Sequence, residues 1–166
     1  GPLLEGLDMS NLVVAGGAVL AALTLGDATD ANLSRDAARA VLRDARETTS
    51  DIDLFVVADS DAQAQAVYQR VLRHFAARIA AVQELPDFEE LPVGDYKPPY
   101  KVCKQLLVVR SAKAVTFVAG YPQRHIQLIL RRHRSVGDVI WNFDVDACQL
   151  AYDGEKVYAT PAARRA

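Results

Sequence analysis

Two carboxylates in this chain are spaced so that they could share one cation. Asp51 and Asp53 flank Ile52 at the start of a segment, residues 52–57, whose β-branched and aromatic residues are typical of a strand. Side chains two positions apart on a strand point to the same face, so the carboxylates would lie side by side. A divalent cation relieves their mutual repulsion, and Mg²⁺ commonly takes one or two carboxylates together with substrate phosphates. The spacing therefore indicates a candidate magnesium site.

A glycine pair precedes the carboxylates in the chain. Gly16 and Gly17 separate a short apolar segment, residues 11–15, from a second one that we predict to form a buried helix over 18–25, ended by Gly26-Asp27. Glycines at a helix start let backbone N–H groups approach a phosphate. A tight turn or close helix packing would use the same two glycines. Both interpretations stay open at this stage.

Positive charge is concentrated in one part of the chain. Residues 97–134 hold nine Lys and Arg and no Asp or Glu, whereas the remainder holds 10 basic and 21 acidic residues. This segment is either a solvated face balanced by acidic residues elsewhere or an anion site for phosphates. The side chains that could reach such a site are Lys101, Lys104, Arg131, Arg132 and Arg134.

Capping and periodicity signals predict the elements that position these residues. Ser60 with Gln63, and Ser135 with Asp138, have the spacing of capping boxes. They predict a long helix from Ser60 to about residue 85 and a short helix that ends near 143, and a further helix is expected over 34–47. Strands are predicted over 52–57, 104–110, 114–119, 126–131, 145–152 and 156–159, the last two joined by Asp153-Gly154. This order favours an α+β fold with a mixed sheet flanked by helices.

The composition excludes several classes of protein. The 166 residues suit one domain, which we expect over 10–160, with 27–49 as an inserted helical segment and Gly1-Pro2 as a remnant of tag removal. A net charge of −2 disfavours a nucleic-acid coat protein, and two cysteines outside any CxxC pair disfavour a zinc site. The apolar stretch 12–25 is too short for a membrane span. We expect no membrane association and an intracellular location, cytoplasmic or nuclear.

Several short motifs resemble those of the DNA-polymerase-β-type nucleotidyltransferase superfamily. The segment 11–19 (NLVVAGGAV) is similar to the entry segment of the CCA-adding-enzyme head domain, and 50–54 (SDIDL) is similar to its metal strand. The segments 126–128 and 143–147 are similar to its third-carboxylate strand and its closing segment. The resemblance implies a nucleotidyltransferase-like sheet, two Mg²⁺ ions held by Asp51 and Asp53, and phosphate binding by the glycine pair.

The sequence departs from that family at the position of the third carboxylate. Gln127 stands there, and an amide supplies neither charge nor a base. Asp144 or Asp146 could take the place of that carboxylate, and we assign Asp146 as a candidate catalytic residue beside Asp51 and Asp53. The candidate nucleotide-binding residues are Gly16, Gly17, Lys104, Arg131 and Arg132.

The resemblance implies binding of a nucleoside triphosphate and transfer of a nucleoside monophosphate to an acceptor hydroxyl. The acceptor would be RNA, a protein or a small molecule. The alternative is a catalytically degenerate module that binds a partner as part of a larger chain. Segments 121–127, 143–146 and 152–154 are also similar to a domain of eukaryotic ankyrin-repeat proteins, which favours the second interpretation.

Overall fold

The computed structural model of the protein describes residues 4–28, 51–83, 107–118 and 124–166. Within these residues, seven strands form one sheet in the order β3-β4-β5-β2-β1-β6-β7. The strands are β1 (Leu12–Ala15), β2 (Ile52–Val57), β3 (Leu107–Arg110), β4 (Ala114–Val118), β5 (Ile126–His133), β6 (Leu150–Tyr152) and β7 (Val157–Ala159). The helices are α1 (Gly17–Ala28), α2 (Asp61–Gln83) and α3 (Val136–Ile140), followed by a 3₁₀ helix (Asp146–Cys148).

The sheet is mixed, as the sequence predicts. β2 and β5 pair in parallel, and the other neighbours pair antiparallel. Helix α2 packs on one face of the sheet, and α3 packs on the other. The α+β class with helices beside a mixed sheet is therefore confirmed.

Helix α2 forms the larger core with the central strands. Its start is the predicted capping box, because Ser60 Oγ accepts the backbone N–H of Gln63 at 3.2 Å and Gln63 Oε1 accepts that of Asp59 at 2.8 Å. The stripe of residues that α2 buries packs on Leu54, Val56, Phe117 and Leu128 of the sheet. The members of that stripe are Ala64, Val67, Val71 and Phe75. Periodicity of 3.6 residues is thus sufficient to orient this helix.

A smaller core lies on the opposite face. Val139 and Ile140 of α3 pack on Val13, Ala15 and Ala151. The predicted cap of this helix is confirmed, since Ser135 Oγ accepts the backbone N–H of Asp138 at 3.1 Å. The helix ends at Ile140, three residues earlier than predicted.

Two predicted boundaries were wrong. Helix α1 continues through Gly26-Asp27 to Ala28, because glycine weakens a helix by only about 1 kcal/mol and does not by itself end it. The predicted strand 145–152 is a 3₁₀ helix followed by the three residues of β6. The β6–β7 hairpin at Asp153-Gly154 is confirmed: Gly154 has φ +105°, and the Asp153 carboxylate accepts two backbone N–H groups, from Glu155 and Lys156.

Some predictions fall outside the described residues. These are the helix over 34–47, most of the inserted segment 27–49, the beginning of the strand 104–110, and Lys101 and Lys104. Among the helices in the described part of the chain, none combines the length and the apolarity that crossing a bilayer requires.

Candidate functional site

Asp51 and Asp53 lie where three strands meet. In the sheet register Asp53 is opposite Ala15, the last residue of β1, and opposite Gln127 near the start of β5. Asp53 is on the same face as Phe55 and Val57, which border the smaller core. Both carboxylates are half-buried. The strand order therefore places the pair at one end of the central strands, beside the beginning of α1.

Asp51 is held by two side chains of the β5 region. The amide nitrogen Nε2 of Gln127 donates to Asp51 Oδ2 at 2.5 Å, and Nδ1 of His125 lies 3.8 Å from Asp51 Oδ1. The backbone N–H of Ile52 donates to the His125 carbonyl at 2.9 Å, which fixes the relative position of the two strands. From the sequence alone, His125 is predicted to be a surface or internally satisfied histidine and not a base. Its position two residues before Gln127, on the same side of the strand, is the signal that could have identified it.

The surroundings of Asp53 disfavour its ionised form. Burial and the neighbouring charge of Asp51 both raise the pKa of Asp53 above its ordinary value. The paired carboxylates thus repel one another in the structure, as their spacing suggests.

Replacing Asp53 by asparagine is expected to stabilise the fold at neutral pH. In the unfolded chain Asp53 titrates near 3.8. Because the pKa of Asp53 is higher in the folded protein, ionising Asp53 destabilises the fold. This destabilisation is complete above the folded pKa, and it disappears below pH 3.8, where Asp53 is protonated in both states. At pH 7 we therefore expect Asp53→Asn to raise the Tm, because the variant removes a carboxylate that is costly to ionise in the folded protein.

The measurement is thermal unfolding followed by circular dichroism between pH 3 and 8. The increase in Tm caused by Asp53→Asn should become smaller as the pH falls and should vanish near pH 3. Asp59→Asn is the matched control, because Asp59 is exposed at the other end of β2 and should leave the Tm unchanged. A gain of the same size at every pH would show that Asp53 does not titrate as its surroundings imply.

Gly16 has a structural reason to be glycine. Its φ is +84°, and a Cβ at this position would lie 2.7 Å from Cε1 of Phe143. Its N–H donates to the Leu150 carbonyl at 3.0 Å, and its own carbonyl accepts the N–H groups of Val19 and Leu20 at the start of α1. The glycine pair therefore turns the chain from β1 into α1 beneath the Phe143 ring. Of the two interpretations left open by the sequence, close packing accounts for Gly16.

The predicted cationic residues lie away from the carboxylates. Arg132 is opposite Val56, near the far end of β2, and its guanidinium bonds to the Asp61 carboxylate at 2.7 Å and to the Ala58 carbonyl at 3.1 Å. Arg131 is exposed beside it. The register therefore separates both arginines from Asp51 along the sheet, while Lys104 lies outside the described residues.

Asp146 is exposed at the first position of the 3₁₀ helix, and Asp144 is exposed just before it. In the four described ranges, no hydrogen bond or ion pair joins either carboxylate to Asp51 or Asp53. In the same ranges, no three His, Cys, Asp or Glu side chains are grouped so that they could hold a metal ion. The described residues therefore contain no group of three such side chains that could form the two-metal centre implied by the resemblance.

Comparison with known families gives a different relationship from the one that the motifs suggested. The family model described as "Gabija anti-defense 2 family protein" matches residues 3–166. The chain belongs to this family. A relative is the "Uncharacterized protein R883" of Acanthamoeba polyphaga mimivirus, which is 24% identical over 159 residues. That alignment covers 96% of the chain but 29% of the relative, so the chain spans less than a third of that protein. No solved structure matches the chain.

The family match corrects the interpretation of the sequence. The assignment to the nucleotidyltransferase superfamily was wrong, and so was the function of nucleotidyl transfer derived from it, because a different family model covers almost the whole chain. The similarity to a domain of ankyrin-repeat proteins was wrong for the same reason. The site residues, Mg²⁺ and a nucleoside triphosphate came from residue spacing and charge as well as from that resemblance, and they stay predictions.

Proposed function

We propose that this protein counteracts the Gabija defence against phage by binding one of its protein components. The observation that carries the proposal is the match of the Gabija anti-defense 2 family model to residues 3–166, which include every described element. The viral protein R883 also aligns with nearly all of the chain. The function therefore belongs to the fold as a whole and not to one short motif.

The geometry favours binding as the mode of action. Asp51 accepts a hydrogen bond from Gln127, and Nδ1 of His125 lies 3.8 Å away, so the carboxylate is part of a polar network within the protein. Such a network stiffens the end of the sheet at which it lies. A stiff surface loses little conformational entropy when a partner docks, which increases affinity. This end of the sheet is accordingly where we expect the partner to bind.

A plating experiment tests the proposal. Bacteria that carry the Gabija system are challenged with a phage that Gabija restricts, with and without the chain expressed from a plasmid. We expect the chain to restore plating to the level seen on cells that lack Gabija. The control is the same plasmid with an early stop codon. If the chain accumulates as folded protein and plating stays restricted, the proposed function is wrong.

A further inference from the structure

An aromatic and an aliphatic side chain are unusually exposed on the segment that follows α3. Trp141 is 64% exposed and Val145 is 60% exposed. Residues 141–146, here termed the Trp141 patch, form a segment short enough to keep the Cα atoms of Trp141 and Val145 within about 14 Å of one another. Tryptophan is enriched among the residues that dominate binding energies at protein interfaces.

The Trp141 patch is held in place by contacts of Phe143 and of Val145. The Phe143 ring packs over Gly16 and makes an edge contact with Phe55, with ring centroids 5.8 Å apart. The Phe143 carbonyl accepts the side-chain amide of Gln149 at 3.0 Å, and the Val145 carbonyl accepts the N–H of Cys148 at 2.9 Å. Trp141 is therefore exposed on an anchored segment. Such a segment loses little conformational entropy when a partner binds.

The surroundings of the patch are acidic. Within the patch Asp144 and Asp146 are exposed, and residues 139–152 around it hold no Lys or Arg. Phe143 packs on Gly16, and Gly16 directly follows Ala15, the residue of β1 that pairs with Asp53. The carboxylates of β2 therefore lie at the same end of the sheet as the Trp141 patch. A partner that fits an apolar centre with carboxylates around it should carry positive charge at the edge of its own surface.

We propose that the Trp141 patch is the docking surface for a protein partner that offers an apolar cavity rimmed by Lys or Arg. This inference rests on the proposed function and names the part of the molecule that carries it out. Trp141 fills the cavity, and its ring face can also take a cation of the rim. Asp144 and Asp146 attract the basic rim and orient it, which raises the rate of association.

The test uses the purified protein components of Gabija as probes, titrated onto the immobilised chain at low and at high NaCl. We expect Trp141→Ala to weaken binding by about 30-fold or more, as for a residue at the centre of an interface. The double variant Asp144→Lys with Asp146→Lys should slow association on the order of tenfold at low salt and flatten its salt dependence.

Two matched controls lie elsewhere on the surface. Glu155→Lys reverses one exposed carboxylate, against two in the double variant, at the hairpin on the opposite end of the sheet, and Leu72→Ala truncates a partly exposed apolar residue on α2. Both should bind like the unmodified chain. Trp141→Ala, Glu155→Lys and the double variant replace exposed side chains and should melt at the unmodified temperature, while Leu72→Ala should melt at most about 2–4 °C lower, so thermal unfolding separates loss of binding from loss of fold.

The outcomes separate this inference from the function on which it rests. If the unmodified chain binds and restores plating while Trp141→Ala does both equally well, the docking surface is wrong and the function stands. If the unmodified chain neither binds nor restores plating, the proposed function itself fails, and the inference fails with it. If sedimentation shows a dimer that Trp141→Ala dissociates, the patch is occupied by a second copy of the chain, and the inference is overturned.

Discussion

Replacing Phe75 by alanine is expected to destabilise the protein by about 3–5 kcal/mol, the usual cost of removing a large buried aromatic ring. Phe75 is fully buried between α2 and the sheet, and its ring centroid lies 4.4 Å from that of Phe117. Its removal would take away apolar burial and leave a cavity that the sheet cannot close. Urea unfolding followed by tryptophan fluorescence and circular dichroism measures the change in the free energy of unfolding.

Leu72→Ala is the internal control for this prediction. Leu72 is on the same helix, but its side chain is 36% exposed, so its truncation should cost no more than about 1 kcal/mol. Equal losses for the two variants would mean that α2 does not present its Val71 and Phe75 face to the sheet.

Gly16→Ala is expected to cost about 2–4 kcal/mol through two separate effects. Alanine at a φ of +84° is strained by about 1–2 kcal/mol, and its Cβ would stand 2.7 Å from Phe143 Cε1, so that the ring must move. The loss should appear as a lower urea midpoint with an unchanged slope. Gly137→Ala is the matched control, since a Cβ there meets nothing closer than 3.6 Å and lies within α3.

A double variant divides the cost of Gly16→Ala between its two causes. Combining it with Phe143→Leu removes the aromatic ring edge and should recover the steric part, while the backbone strain at residue 16 remains. A coupling energy near zero would mean that the glycine is required for its φ alone. Loss of Gly16 should also displace Phe143 and with it the anchored Trp141 patch.

Local patterns in the sequence predicted much of the fold. Capping boxes at Ser60 and Ser135 and the period of the apolar residues in α2 depend on neighbours within one or two turns, so they can be recognised without a structure. The 3₁₀ helix at 146–148 was missed because Val145, Ala147 and Cys148 are as compatible with a strand as with a helical turn. Tertiary contacts decide between these states, and the local sequence does not contain them.

The candidate site was less accessible to sequence reasoning. The spacing of Asp51 and Asp53 placed the two carboxylates together, but the role of His125 depends on the parallel pairing of β2 with β5, which no local signal encodes. The glycine pair is compatible with two uses, and the contact of Gly16 with Phe143 shows close packing without testing phosphate binding. Motifs of two or three residues thus suggested a superfamily to which the chain does not belong, whereas the family model draws on residues 3–166.

Formation of a complex with a purified Gabija protein tests the central claim most directly. The unmodified chain is mixed with each component, and the mixture is examined by analytical ultracentrifugation and intact mass spectrometry. The account predicts a defined complex with one component, in which both proteins keep their original masses, since the proposed mode of action is binding. Loss of defence in cells without any such complex, or a changed mass of the Gabija protein after contact with the chain, would contradict it.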